Sequence, residues 1–442
     1  MDAATARWLT GAEAAGELAR AAAEPDPGSL GAAERLRRRL TPERAAAVSA
    51  QIALRRRART KFGERADRLF FTPDGLEQAT RPAVAAWRAG RLRSTGVRRV
   101  LDLGCGLGAD ALACVDAGLE VAAIEADEVT AILAGANLGI EVTVGDAVEL
   151  LPPSDPATAV FCDPARRSSS GRSWRVEDLN PPWSFVEALL VERIACVKLG
   201  PGLPHALIPD GVLATWVSER GDLVELSLWS REAGRAATAS GAGSVAGEGS
   251  VVGPGGWGGA EFGSTAGRRG EAGGGRCAVL LPGGVLHDTR PVAEPSAPER
   301  LASAVRTESL PLTARPEPGA VLYEPDPAVI RAGLVNGLAE RLAAVRLRPQ
   351  LAYLLGAEHH PTPFATAFEV LEVLDAGEKT LRAWVRRENV GTLEIKKRGL
   401  DIDPATLRRR LKPTGRASAT LVLTPTADGV RALVVRRLPP PA

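Results

Sequence analysis

The chain has 442 residues, 45% of them hydrophobic, and a formal net charge of +2. Its length exceeds that of one ordinary domain, so two or three are expected, each with enough apolar material for a core. Near-neutral charge excludes a global electrostatic argument for nucleic acid and leaves that case to local patches.

Residues 1–92 read as a helical N-terminal domain. The opening Met1-Asp-Ala-Ala-Thr lacks the basic and apolar segments of a signal peptide, and no uncharged apolar run reaches the roughly 18 residues of a membrane span. A cytoplasmic chain with no membrane partner is expected. Thr41-Pro-Glu is a helix start: Thr caps, Pro suits the first turn and Glu43 favours the positive dipole end. The helix carries a basic block, Arg55, Arg56, Arg57, Arg59 and Lys61. Thr72-Pro-Asp-Gly75 marks a turn, and a helix is expected from Leu76 to Leu92.

Residues 93–285 read as an α/β domain. Apolar runs at Arg99–Leu103, Glu120–Glu125, Glu141–Val144, Ala157–Cys162 and Ile194–Leu199 alternate with helix-length segments, the grammar of a mostly parallel, doubly covered sheet. Leu213–Ser218, Leu223–Trp229 and Cys277–Leu281 have no helices between them and suggest an antiparallel closing edge. Within this domain 16 of the 45 residues Arg231–Gly275 are glycine, which reads as a disordered insertion. A Pro-rich linker, 286–317, precedes a small helical, ferredoxin-like segment, 318–360, where Asp326–Leu347 reads as one helix. The last part, 361–440, reads as a small α+β domain with an antiparallel sheet. Its strands are expected at Phe368–Leu374, Thr392–Lys397, Ser418–Thr424 and Val430–Arg436, with helices near Glu378–Arg387 and Pro404–Leu411.

Cys105, Cys114, Cys162, Cys196 and Cys277 form no CxxC pair and sit largely in apolar runs, so buried reduced thiols are expected. His205, His287, His359 and His360 have no metal-ligand spacing, and no metal is expected.

The chemistry concentrates in Val100-Leu-Asp-Leu-Gly-Cys-Gly-Leu-Gly108, an apolar strand running into a glycine turn and a helix. Gly104, Gly106 and Gly108 permit positive φ and close approach of a ligand beyond the strand's carboxyl end. Gly104, Gly106 and Ala109 also satisfy the dinucleotide fingerprint G-x-G-x-x-G/A, which keeps an NAD-dependent oxidoreductase open. Asp102 favours S-adenosylmethionine, because a carboxylate there meets the ligand's amino-acid end but would repel a pyrophosphate. Glu125 ends the second strand, where it can accept ribose hydroxyls of either ligand. Asp146 follows the third strand at the adenine position. Asp163-Pro164 ends the fourth, where a methyl acceptor would sit. Each acid singly also fits a solvated strand end; the ordered set of four carries the reading.

The segment 98–199 resembles the class I S-adenosylmethionine-dependent methyltransferases, with a Rossmann-like sheet. Lys61-Phe-Gly, Leu76-Glu-Gln-Ala-Thr80, Asp163-Pro-Ala-Arg166, Val197-Lys-Leu-Gly-Pro201 and Tyr323-Glu-Pro-Asp326 narrow this to a resemblance to bacterial members ending in a THUMP-like domain. The resemblance implies RNA, tRNA or rRNA, as the partner. It also implies Asp163 and Pro164 as catalytic, at the place of the D/N-P-P-Y/F motif of base-methylating relatives. The stacking ring of that motif is replaced by Arg166, a substrate-binding candidate. Trp183 of Asn180-Pro-Pro-Trp183 is the alternative source of a ring, unless it packs on the sheet edge. The 5-methyluridine enzymes pair D-P-P-R with a nucleophilic cysteine, and Cys196, in an apolar strand, does not match it.

Residues Glu378–Arg416 hold twelve Lys and Arg against five acids. Lys396, Lys397 and Arg398 form the sharpest phosphate-binding candidate, whereas Arg408–Arg410 fit a solvated helix face. A non-catalytic RNA-binding protein on a degenerate methyltransferase fold is the other alternative.

Overall fold

A computed structural model describes residues 1–166, 176–231, 233, 275–287 and 315–441; of Arg166 it describes the backbone alone. The expected Gly-rich insertion and Pro-rich linker fall almost wholly outside these residues. The chain divides into two compact units, 1–214 with 225–274, and 215–224 with 275–442.

The first unit opens with α1 (Ala3–Thr10), α2 (Ala12–Ala22), α3 (Leu30–Arg37), α4 (Pro42–Phe62), α5 (Pro73–Gln78) and α6 (Pro82–Ser94). Thr41 caps α4 by accepting from the Arg44 N–H at 3.4 Å, with Pro42 in the first turn. Thr72-Pro-Asp-Gly75 is a helix start rather than the expected turn, because Thr72 Oγ1 accepts from the Gly75 N–H at 3.0 Å. The helix expected over 76–92 is two helices. Pro82 pushes Arg81 out of the α region, to ψ 135°.

Then follow β1 (Arg99–Leu103), α7 (Ala109–Asp116), β2 (Glu120–Glu125), α8 (Glu128–Leu138), β3 (Thr143–Val144), β4 (Thr158–Cys162), β5 (Ala165–Arg166), β6 (Leu179–Asn180), α9 (Trp183–Glu192) and β7 (Ala195–Leu199). β3 is shorter than the expected 141–144, an edge strand with both side chains exposed. After β8 (Leu213–Glu219) comes β9 (Asp222–Trp229). Strands of the first unit run in the order β9-β7-β4-β1-β2-β3. β1 pairs parallel with both β2 and β4, β4 with β7, and β2 with β3, while β9 closes antiparallel on β7. This is the Rossmann-like sheet the sequence predicts. Order reverses between β1 and β4, which opens a crevice at their carboxyl ends. Leu54, Leu69, Phe71 and Leu76 of the helical region share a core with Cys105, Leu107, Leu112 and Leu138.

In the second unit β10 (Gly275–Leu281) pairs antiparallel with β11 (Gly284–His287). Its larger sheet is built from β12 (Val321–Pro325), α10 (Pro327–Arg331), α11 (Val335–Arg341), β13 (Val345–Arg346), β14 (Leu354–Gly356), β15 (Ala365–Asp375), α12 (Glu378–Arg387), β16 (Val390–Lys397), α13 (Pro404–Leu411), β17 (Ala417–Thr426) and β18 (Gly429–Arg437). Its order is β13-β14-β12-β15-β18-β17-β16. The single helix expected over Asp326–Leu347 breaks at Gly333, whose φ of +74° leaves the helical region. The expected antiparallel sheet holds at β15–β18 and β17–β18, but β16 joins β17 in parallel. α13 is the crossover that makes this possible.

Candidate active site

The loop after β1 is held open by three glycines with different tasks. Gly104, Gly106 and Gly108 have φ of +77°, +54° and +81°. A methyl group added at Gly104 or Gly106 would meet nothing within 4 Å, so both face open space. At Gly108 it would lie 3.1 Å from the Leu138 side chain, so this glycine lets the start of α7 approach α8. Backbone N–H groups of Gly104 and Cys105 donate to the Ile124 carbonyl at 2.9 and 3.1 Å, tying the loop to β2. Asn137 Nδ2 donates to the Leu107 and Phe70 carbonyls, both at 3.0 Å, and joins the loop to the helical region.

The four ordered acids land at the ends of adjacent strands. Asp102, in β1, is 1% exposed, and neither carboxylate oxygen has a hydrogen-bond partner. Burial pushes its carboxyl well above the usual range; Asp110 and Asp163 add to this, and Arg88 and Lys198 oppose it. An orphaned buried carboxylate is costly until a cation or donor meets it. Glu125, at the end of β2, accepts from the Gly106 N–H at 2.8 Å and the Asp127 N–H at 3.1 Å. Asp146, beyond β3, is exposed and accepts from the Val148 N–H at 2.7 Å.

Asp163, beyond β4, is ion-paired to Lys198 of β7. Lys198 Nζ also donates to Thr80 Oγ1 at 3.0 Å, and the Thr80 hydroxyl donates to Asp110 Oδ2 at 2.5 Å. Arg88 of α6, 1% exposed, pairs with both Asp110 and Glu225 and stacks on Phe161 at 4.8 Å. Burial raises the Asp163 carboxyl, with Lys198 pulling the other way. Burial lowers the Lys198 ammonium, but Asp163 and Asp110 outweigh it and the net shift is upward. The sequence brings in Thr80 and Lys198 only as members of the Leu76–Thr80 and Val197–Pro201 motifs, without a role, and does not bring in Arg88 or Asp110, since their partners lie 22 to 137 positions away. A charged residue inside an apolar run, as at Lys198 and Glu225, is a further signal.

Pro164 is buried directly after Asp163. β5 and β6 pair antiparallel, Ala165 opposite Asn180, which returns the chain to the end of β4. Trp183, the first residue of α9, follows and is half-buried. The Arg166 side chain lies outside the described residues. All five cysteines are free and buried, and burial pushes the Cys196 thiol up to about 12.

The basic candidates of the second unit separate by face. Lys396 pairs with Glu324 at 2.8 Å and lies 5.6 Å from the Phe368 ring; Arg398 reaches Glu324 at 3.7 Å and stacks on Tyr353 at 5.2 Å. Lys397, between them on the strand, is exposed. Arg408–Arg410 are exposed as well.

A family model described as THUMP domain-like matches residues 365–437. An uncharacterized S-adenosylmethionine-dependent methyltransferase of Mycobacterium tuberculosis H37Rv is 30% identical over 388 residues, covering 85% of this chain and 91% of its own. Its counterpart in strain CDC 1551 matches equally. A crystal structure of a proposed methyltransferase of Porphyromonas gingivalis W83 covers 98% of this chain and 97% of its own, with TM-score 0.68 and 22% identity, a likeness of fold.

Proposed function

The chain belongs to the S-adenosylmethionine-dependent methyltransferases, and from that premise we propose that it methylates a base of structured RNA, tRNA or rRNA. It is an enzyme and S-adenosylmethionine is its cofactor, which answers the choice left open by the glycine fingerprint.

The residues present fit that cofactor. Asp102 is a buried carboxylate without a partner, the group an amino-acid ammonium would satisfy. Gly104 and Gly106 leave open space for a ligand, and Glu125 and Asp146 stand at the next two strand ends. We assign these five residues, with Gly108 as packing support, to cofactor binding. Bound there, the cofactor supplies a methyl group already activated on a sulfonium. The chain's own task is to align the acceptor and exclude water.

The observation carrying the acceptor assignment is the Asp163 carboxylate, 39% exposed where strand order reverses beside Asp102. On this reading Asp163 accepts an acceptor N–H and takes the proton that must leave. Pro164 fixes the backbone next to it. Trp183 and Arg166 lie on segments returning to the same strand end and are assigned to the base. The THUMP-like match supports RNA as acceptor. In the second unit, exposed Lys397 is the foremost phosphate contact of its cluster, since Lys396 and Arg398 already share Glu324.

The test is transfer of labelled methyl to RNA from a strain lacking the gene, followed by nucleoside mass analysis. One labelled nucleoside is expected, lost in Asp163→Ala. Label in protein with none in RNA would overturn the acceptor class.

A further inference from the structure

We propose that Lys198 is a positioning residue for the acceptor step: its ammonium, clamped by Thr80, holds the Asp163 carboxylate ionised and aimed into the crevice. This rests on the reading that Asp163 meets the acceptor.

The contacts assign the parts. Lys198 Nζ bridges Asp163 and Thr80, and the Thr80 hydroxyl hydrogen is committed to Asp110. The Thr80 lone pairs therefore face the ammonium, and the clamp has one orientation. Lys198 is 16% exposed against 39% for Asp163, so the carboxylate faces the opening and the amine stands behind it.

The surrounding charges make the lysine necessary. Asp163 has Asp102 on β1, Asp110 on α7, Arg88 on α6 and the Cys162 thiol on its own strand. Lys198 in addition faces Glu225 on β9 and Lys61 on α4. Arg88 spends its guanidinium on Asp110 and Glu225. Lys61 Nζ donates to the Leu76 and Glu77 carbonyls at 3.1 and 3.3 Å. Among the described residues, the cation in contact with Asp163 is thus Lys198. Without it, burial and the neighbouring Asp110 carboxylate would drive a proton onto Asp163. A protonated carboxyl presents an O–H to an acceptor N–H and has no capacity for the departing proton. Through the reaction Lys198 stays protonated; the proton moves from acceptor nitrogen to Asp163 and on to solvent.

Lys198→Met, Lys198→Arg, Thr80→Val, Asp163→Asn and Asp163→Asn/Lys198→Met are compared in the full chain. The assays are labelled methyl transfer to that RNA from about pH 5 to 9, calorimetry with S-adenosylmethionine, and carboxyl 13C NMR titration with Asp163 assigned from the Asn variant. In Lys198→Met we expect kcat to fall at least about tenfold at neutral pH, KM for the cofactor to change less than about twofold, and the acid limb to move up by roughly one pH unit or more. Lys198→Arg should restore most of the rate, and Thr80→Val should shift the limb in the same direction by less. The double variant should lose the limb and be no slower than Asp163→Asn. An acid limb unmoved in Lys198→Met and Thr80→Val, or effects of Lys198→Met and Asp163→Asn that multiply, would overturn the proposal. If the wild type labels no RNA, the acceptor reading fails by itself. The NMR midpoint of Asp163 then decides the pairing: upward movement in Lys198→Met supports it, and an unmoved midpoint refutes it.

Discussion

Asp102 sets two demands against each other. The folded, cofactor-free chain keeps a proton there that the unfolded chain would release, because burial raises its carboxyl. Stability from this group is therefore present at acid pH and lost as the pH rises through the raised value. Asp102→Asn should melt at a higher temperature than wild type at neutral pH, with the gap closing as the pH falls toward the ordinary carboxylate range, about 3.9. The same variant should bind S-adenosylmethionine about tenfold more weakly by calorimetry, having lost the charge-assisted partner of the ammonium. Gly108→Ala tests packing, since its added carbon meets Leu138 at positive φ. A loss of about 1–3 kcal/mol in denaturant midpoint analysis is expected. Asp102, Glu125, Asp146 and Asp163 were legible as candidates because each stands in or just after an apolar run. The roles of Lys198 and Thr80 were not, although both stand in quoted motifs, because what defines them is a contact across 118 positions.

At the scale of elements, local chemistry announced some boundaries and long-range pairing hid others. α12 and α13 begin and end where expected; α13 starts at Pro404 after Asp403, which accepts from the Thr406 N–H at 2.9 Å. The parallel union of β16 with β17 could not be read, because an extended run looks the same whichever way its neighbour points. That union depends on glycine. A carbon added at Gly391 would come within 2.0 Å of the Gly415 carbonyl oxygen, and one at Gly415 within 1.8 Å of the Asn389 oxygen. Gly415→Ala should therefore weaken amide protection along 417–426 in hydrogen exchange, with a stability loss of about 1–3 kcal/mol. Calorimetric binding of S-adenosylmethionine should be unchanged, since its residues lie in the other unit.

Across the whole molecule, net charge is nearly nil, so binding of RNA must draw on clusters. Replacing Lys397 with Ala should weaken RNA binding across sequences, whereas replacing Arg408, Arg409 and Arg410, on a solvated helix face, should change it little. The slope of log affinity against log salt should flatten by roughly 0.7–0.9 for each phosphate that is no longer neutralised. Filter binding over a salt series reads both, with cofactor affinity unaltered.

Arg88 and Glu225 stand 137 positions apart. A ribosome adding about 5–20 residues per second needs roughly 7–27 s to travel between them. Over its last 79 positions, once Asp146 is made, the nascent chain already holds every cofactor-binding residue. It still lacks the second carboxylate that allows a guanidinium to be sealed inside, and the strand carrying it. The Arg88 site beside the loop is thus begun early and finished late: its sealing waits on a strand synthesised after all of the loop's own parts.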